Sequence, residues 1–222
     1  MAMHAGEERM TKAVLWDLDG VLVDTAPFHF EAWQELFQSL GKGFADADFR
    51  RTFGLRNDAI LGDILGELAP AEVGRLAQKK EELYREKIEG RVTAIPGAMG
   101  LLRRLQQRGR KSAIVSSTTR ENVRVVLSSL GLEGVFEAVV AEEDAPRGKP
   151  DPQGFLVAAQ KLGVEAEECV VIEDAPGGVE AAKRAGMRCI GVTTSRPREA
   201  LAAADLVVDS LKEATVYAFL GI

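Results

Sequence analysis

The stretch WDLDGVLVDT, residues 16–25, places Asp17, Asp19 and Asp24 directly behind a run of apolar residues. Carboxylates repel one another and are costly to bury, so a cluster of them at the end of a hydrophobic segment needs an explanation. The segment KAVLWDLD (12–19) has the length and apolar character of a buried strand. The sequence therefore predicts a buried strand that carries acidic side chains to the edge of a sheet.

Short apolar runs recur along the rest of the chain and alternate with amphipathic segments that end near glycines. The further predicted strands are KSAIVSS (111–117), VFEAVVA (135–141), CVVIED (169–174), CIGVTT (189–194) and DLVV (205–208). Most of these runs lack strict polar alternation, which is typical of parallel strands covered on both faces. The helical segments end near Gly109, Gly131, Gly163 and Gly186, where left-handed C-caps are expected. This alternation predicts a doubly wound α/β domain with a mainly parallel sheet.

One interval breaks the alternation, because residues 25–95 carry only helical patterns. A crossover between parallel strands needs a single helix, so this interval is too long to be one. We expect it to be an all-helical inserted domain beside the carboxyl end of the first strand. The α/β core then comprises residues 10–24 and 96–222, with residues 1–9 a tail or a cloning remnant.

Composition excludes several classes of protein. The 28 basic and 34 acidic residues give a net charge of −6, and no long basic run suggests nucleic acid or an anionic membrane as a partner. No apolar stretch of about 20 residues suggests a membrane span, and the polar start MAMHAGEERM is no signal peptide. We therefore expect a cytoplasmic protein. Cys169 and Cys189 lie in predicted strands and are interpreted as core residues in a reducing compartment.

Polar side chains follow the predicted strands at their carboxyl ends, where ligands bind in open α/β sheets. They are Asp17, Asp19, Ser116, Ser117, Lys149, Glu173 and Asp174. Each has an ordinary explanation when taken alone, such as a helix cap, a turn serine or a surface lysine. Together, the acidic groups need a counter-charge, and a hard divalent cation with oxygen ligands supplies one. The lysine and the hydroxyls suit an anion such as phosphate.

The motifs DLDGVLVDT, SAIVSS, GKPDP and IEDAPGGVEAAKRAG resemble those of the haloacid dehalogenase (HAD) superfamily in order and spacing. The resemblance extends over nearly the whole chain from Lys12 onward. It implies a Rossmann-like core, and the insert resembles the helical cap domain of the β-phosphoglucomutase and phosphoglycolate phosphatase branch. The expected partner is a small phosphorylated substrate, and the protein is expected to be a monomer or a homodimer.

The resemblance also implies roles for the residues at the strand ends. Asp17 is the expected nucleophile, which forms an aspartyl phosphate, and Asp19 is the expected general acid and base. Ser116 and Lys149 bind the transferring phosphoryl group and balance its charge. The retained Asp19 favours phosphoryl transfer over dehalogenation, and the presence of Asp17, Asp19 and Asp174 argues against a protein that only binds ligands.

The same resemblance implies a Mg²⁺ site and a backbone cradle for the phosphate. Mg²⁺ is expected to be held by Asp17, the backbone carbonyl of Asp19 and Asp174, with Glu173 assisting directly or indirectly. Gly20 is expected to let the backbone turn tightly beneath the phosphate, and backbone N–H groups near Ser117 are expected to bind it. Gly20 and Ser117 are therefore predicted substrate contacts.

Residues of the insert decide between two reactions. His29, Arg56 and Lys80 resemble substrate-contacting residues of β-phosphoglucomutase, although His29 could border the helix core and the other two could be solvated charges. Thr119 stands where that mutase has a lysine, and FGLRNDAIL resembles phosphatases of the branch at least as closely. We therefore expect a phosphohydrolase of small phosphorylated metabolites, such as sugar phosphates, with a β-phosphoglucomutase-type mutase as the alternative.

Overall fold

The structure, a computed structural model, describes residues 10–222; the predicted tail, residues 1–9, lies outside them. Its centre is one parallel sheet of six strands in the order β3-β2-β1-β4-β5-β6. The strands are β1 (Ala13–Trp16), β2 (Lys111–Val115), β3 (Ala138–Val140), β4 (Cys169–Glu173), β5 (Arg188–Val192) and β6 (Leu206–Val208). Each lies within or next to a predicted strand, and the predicted fold class is confirmed.

The position of β1 in the sheet explains both its apolar sequence and the acidic residues after it. Val14 and Trp16 pack into one hydrophobic cluster and Ala13 and Leu15 into another, because helices cover both faces of the sheet. A strand buried on both faces has no polar alternation. Trp16 pairs with residues of both β2 and β4, so these three strands end side by side.

Five helices flank the sheet in the described part of the chain. They are α5 (Ala98–Gln107), α6 (Arg120–Ser129), α7 (Gln153–Leu162), α8 (Pro176–Arg184) and α9 (Ala214–Leu220). The four glycines predicted to end the first four of these helices all have positive φ, from 64° to 75°. Their left-handed backbone confirms the predicted C-caps. The short C-terminal α9 is absent from the sequence-based prediction.

The interval between β1 and α5 folds as four helices, which together with their connections (residues 26–88) we call the helical insert. They are α1 (Ala26–Ser39), α2 (Asp46–Thr52), α3 (Asn57–Leu65) and α4 (Pro70–Ile88). Aromatic rings at Phe30, Trp33, Phe37, Phe44 and Phe49 pack against one another inside it. The predicted domain limits at residues 25 and 95 stay a prediction.

The two cysteines lie where the sequence predicts. Cys169 in β4 and Cys189 in β5 are fully buried, unpaired thiols. Burial raises the pKa of Cys169 to about 12, so its thiol stays protonated near neutral pH. Among residues 10–222, no helix combines the length and apolar character needed to cross a bilayer.

Candidate active site

The carboxyl edge of the sheet and the helical insert enclose a cavity of about 390 Å³, which we call the cleft. Predicted site residues of both parts line it together, namely Asp17, Asp19, His29, Arg56, Lys80, Ser117, Lys149, Glu173 and Asp174. Ser116 lies in a smaller adjoining pocket that Ser117 and Lys149 also line. The topology therefore brings residues distant in sequence to one place.

Three buried carboxylates face one another at the base of the cleft. Asp17, Glu173 and Asp174 are 7%, 1% and 3% exposed, and oxygen atoms from all three lie within 4.8 Å of one another. Lys149 Nζ lies 2.5 Å from Asp17 Oδ1 and also donates to Glu173 Oε1. Burial alone would lower the pKa of Lys149, but these two carboxylates raise it instead. The lysine therefore stays charged and offsets part of the negative charge.

The cluster still has more negative charge than Lys149 offsets. Asp174 Oδ2 is buried without a hydrogen-bond partner among the described residues. Burial and repulsion from Glu173 raise the pKa of Asp174 to about 7, and burial also raises the pKa of Asp17 despite Lys149. A hard divalent cation prefers such oxygen ligands and removes this penalty. The donor set of Asp17, Glu173 and Asp174 thus fits Mg²⁺.

Gly20 lies directly beside this cluster. Its φ is +84°, and a Cβ added there would lie 2.0 Å from Asp174 Oδ2. A side chain at position 20 would therefore occupy the space of the Asp174 carboxylate. The tight turn agrees with the predicted role of Gly20, although the close approach to Asp174 could not be inferred from the sequence.

Ser116 and Thr119 organise the turn after β2. Ser116 is 6% exposed, and its Oγ accepts a hydrogen bond of 3.2 Å from the N–H of Thr118. The Thr119 hydroxyl accepts from the N–H of Asn122 and caps α6. At the position where the mutase has a lysine, this chain therefore has a helix cap.

Asp19 contacts Thr25 and the helical insert rather than the acidic cluster. Thr25 Oγ1 donates to Asp19 Oδ1, and His29 Nε2 lies 3.7 Å from the same oxygen. Burial alone would raise the pKa of Asp19, but His29 and Thr25 lower it. Thr25 is fully buried and was not predicted as a site residue. The chain curls back after Gly20, which donates its N–H to the carbonyl of Val23, and this turn brings Thr25 to Asp19.

Replacing Thr25 by valine should lower kcat about tenfold with little change in KM. Valine matches the shape of threonine but removes the donor to Asp19, and a hydrogen bond to a charged group contributes about 1.5–3 kcal/mol. The pH profile of kcat should shift toward higher pH, because Asp19 loses a contact that lowers its pKa. Thr52→Val is the matched control, since Thr52 is equally buried but donates to the carbonyl of Asp48. Equal kcat in the two variants would contradict a positioning role for Thr25.

Lys80 is buried, which rules out its interpretation as a solvated charge. It is 2% exposed, and its Nζ lies 2.9 Å from His29 Nδ1 and 2.8 Å from Glu81 Oε1. The ammonium also lies over the rings of Trp33 and Tyr84. Burial and the charge of Lys80 lower the pKa of His29. A neutral His29 that accepts from Lys80 at Nδ1 carries its proton at Nε2, the nitrogen nearer Asp19.

Glu81 joins the helical insert to the core and was not predicted from the sequence. It accepts a hydrogen bond of 2.7 Å from Asn57 in α3 and another from the buried Asn122 in α6. Burial alone would raise the pKa of Glu81, but the charge of Lys80 and the hydrogen bonds from Lys80 and Asn57 hold it at about 2. The ionised Glu81 therefore balances the charge of Lys80, its neighbour in α4, and accepts from Asn122 across the contact between α4 and α6.

Arg56 contacts the core rather than pointing freely into the cleft. Its Nη2 lies 2.8 Å from Glu142 Oε1, and its Nη1 donates to the carbonyl of Pro146 at 3.0 Å. Its side chain also lies against Gly148, next to Lys149. The predicted substrate contact at Arg56 thus coincides with an ion pair to Glu142, a residue that the sequence did not single out.

Comparison with known proteins gives matches over most of the chain. The model of the haloacid dehalogenase-like hydrolase family matches residues 11–186. Validoxylamine A 7'-phosphate phosphatase of Streptomyces hygroscopicus subsp. limoneus is 35% identical, over 92% of this chain and 96% of the relative. Beta-phosphoglucomutase of Bacillus subtilis (strain 168) is 34% identical, over 92% of each chain. The crystal structure of beta-phosphoglucomutase from Clostridium difficile superposes with a TM-score of 0.85, at 29% identity, over 96% of this chain and 98% of that one.

Proposed function

This chain belongs to the haloacid dehalogenase-like hydrolase family, as its motifs predict, and on that premise we propose that it is a Mg²⁺-dependent phosphatase of sugar phosphates and similar small metabolites. The observation that supports this most strongly is the convergence of Asp17, Asp19 and Lys149 with the acidic pair Glu173 and Asp174 in one cleft. One bound substrate can then contact a nucleophile, a proton donor and a cation that balances the charge of the phosphoryl group.

In the first step, Asp17 attacks the phosphorus and forms an aspartyl phosphate, and the bond to the leaving oxygen breaks. The negative charge of the incoming phosphate raises the proton affinity of Asp19, which takes up a proton from solvent as substrate binds. Asp19 then donates this proton to the leaving oxygen, so the sugar leaves as a neutral alcohol. Lys149 balances the negative charge of the phosphoryl group, and the hydroxyl of Ser116 donates a hydrogen bond to a phosphoryl oxygen. The contacts of Asp19 with Thr25 and His29 support the position of this group, because they fix its carboxyl group at the wall of the cleft.

In the second step, Asp19 accepts a proton from water, the water oxygen bonds to phosphorus, and the bond to Asp17 breaks. Inorganic phosphate leaves and the Asp17 carboxylate is restored. Asp17, Asp174 and the Asp19 carbonyl would hold Mg²⁺, with Glu173 beside them. When bound, Mg²⁺ neutralises the carboxylate and phosphate charges that would otherwise repel each other.

A phosphosugar mutase is the second candidate, and the buried pair of His29 and Lys80 is the observation that favours it. The resemblance to β-phosphoglucomutase led us to expect substrate contacts at these positions. A mutase must keep a bisphosphate intermediate bound while this molecule reverses its orientation in the site. A phosphatase instead releases its alcohol product after each phosphoryl transfer. The two candidates therefore differ in whether the cleft binds a second phosphate.

The experiment is a substrate panel with and without Mg²⁺. We expect phosphate release from several sugar and polyol monophosphates, loss of release with EDTA, and recovery on adding Mg²⁺. Conversion of β-glucose 1-phosphate to glucose 6-phosphate without phosphate release would support the mutase instead. No turnover of any substrate, together with no phosphorylation of Asp17 by acetyl phosphate, would contradict both candidates.

A further inference from the structure

The basic residues that line the cleft are mostly paired with acids already. Lys80 is buried against Glu81, and Lys149 belongs to the acidic cluster that would receive the transferred phosphoryl group. Arg51 is paired with Asp48 and Asp63 outside the cleft. A second phosphate on the substrate would need a guanidinium or ammonium of its own. These three residues do not offer one.

Arg56 is the insert residue best placed to bind a second phosphate, but Glu142 occupies its guanidinium. The two side chains are about one-third exposed and 2.8 Å apart, and Pro146 takes a second N–H of the same guanidinium. A phosphate arriving at Arg56 would have to displace a carboxylate and would lie beside that negative charge. Like charges at such a distance oppose binding, which selects against a doubly charged substrate.

Apolar side chains form a part of the cleft wall on the insert side. They belong to Trp33, Phe49, Phe53, Leu55 and Ile60, and Leu55 is 53% exposed. Apolar and aromatic walls suit the faces of an uncharged ring better than a second dianion. The apolar side chains and the Arg56–Glu142 ion pair therefore both favour an uncharged leaving group.

We propose that Glu142 is a specificity-determining residue, which neutralises Arg56 and restricts the site to monophosphates with an uncharged leaving group. The inference rests on the proposed phosphatase function and names its substrate class. Arg196 also lines the cleft, where it donates to the carbonyl of Phe53 at 3.0 Å and to that of Ser195. If Arg196 bound a second phosphate, the unmodified protein would already bind a bisphosphate more tightly than a monophosphate. Inhibition constants of the unmodified protein for the two ligands test this alternative.

The test measures inhibition of p-nitrophenyl phosphate hydrolysis by glucose 6-phosphate and by glucose 1,6-bisphosphate. For the unmodified protein, we expect the bisphosphate to bind no more tightly than the monophosphate. In Glu142→Gln, the ratio of the two inhibition constants should shift about tenfold toward the bisphosphate, since Arg56 gains an anion to pair with. The double variant Arg56→Gln with Glu142→Gln should lose this gain.

Glu121→Gln is the matched control. It removes the same charge and another ion pair between insert and core, that of Glu121 with Arg85 at 3.2 Å, without touching Arg56. Its inhibition ratio should equal that of the unmodified protein. An unchanged ratio in Glu142→Gln, or an unmodified protein that binds the bisphosphate more than about tenfold tighter, would overturn the inference. Hydrolysis of p-nitrophenyl phosphate by the unmodified protein reports separately on the proposed function.

Discussion

Asp17→Asn should lower phosphate release at least about 10³-fold, because a carboxamide cannot form the acyl phosphate through which turnover proceeds. The substitution leaves the number of non-hydrogen atoms in the side chain unchanged, and Lys149 keeps its contact with Glu173. The fold should therefore persist, with an unchanged far-ultraviolet circular dichroism spectrum. Release of phosphate from the best substrate of the panel, at saturating Mg²⁺, measures the effect.

Asp24→Asn provides the control within the same motif. Asp24 carries the same functional group seven residues further on, but it is exposed and its described backbone hydrogen bond is to Thr93. Its variant should turn over at the rate of the unmodified protein. Substantial turnover in Asp17→Asn, with no labelled phosphate on the protein in either form, would show that Asp17 is not the nucleophile.

The strands and the core of the candidate site could be predicted because they depend on local rules. A strand buried on both faces needs a continuous apolar run, as in β1, and parallel strands that end side by side bring their following residues together. Asp17, Lys149 and Asp174 therefore meet as expected. Helices α2 and α9 have only seven residues each, too few for a clear periodic pattern.

The contacts of the helical insert could not be predicted, because they depend on how its helices pack against the core. Lys80 stands in a charge-rich helix, and only the positions of Trp33 and Tyr84 show that it is buried. Glu142 stands in an acidic run, EED (142–144), and nothing in the sequence marks which of its carboxylates meets Arg56. The reaction type is thus encoded at the strand ends, whereas substrate choice depends on tertiary contacts.

Gly20→Ala should lower turnover about 100-fold, the effect expected when a catalytic group is displaced by about 1 Å. The new Cβ would lie 2.0 Å from Asp174 Oδ2, so the Asp174 carboxylate must leave its present position beside Asp17 and Glu173. The positive φ of +84° adds a backbone penalty of about 1–2 kcal/mol. The Mg²⁺ concentration for half-maximal activity should rise, because the acidic cluster loses its arrangement.

Gly66→Ala is the control that separates the backbone penalty of a positive φ from the displacement of Asp174. Gly66 has a φ of +81°, close to that of Gly20, but a Cβ there would meet nothing within 4 Å. Both variants should lose stability in thermal unfolding from the backbone strain, and only Gly20→Ala should lose turnover and its response to Mg²⁺. Equal turnover in the two variants would mean that Asp174 can move without consequence, and that the close approach of Gly20 is not what shapes the acidic cluster.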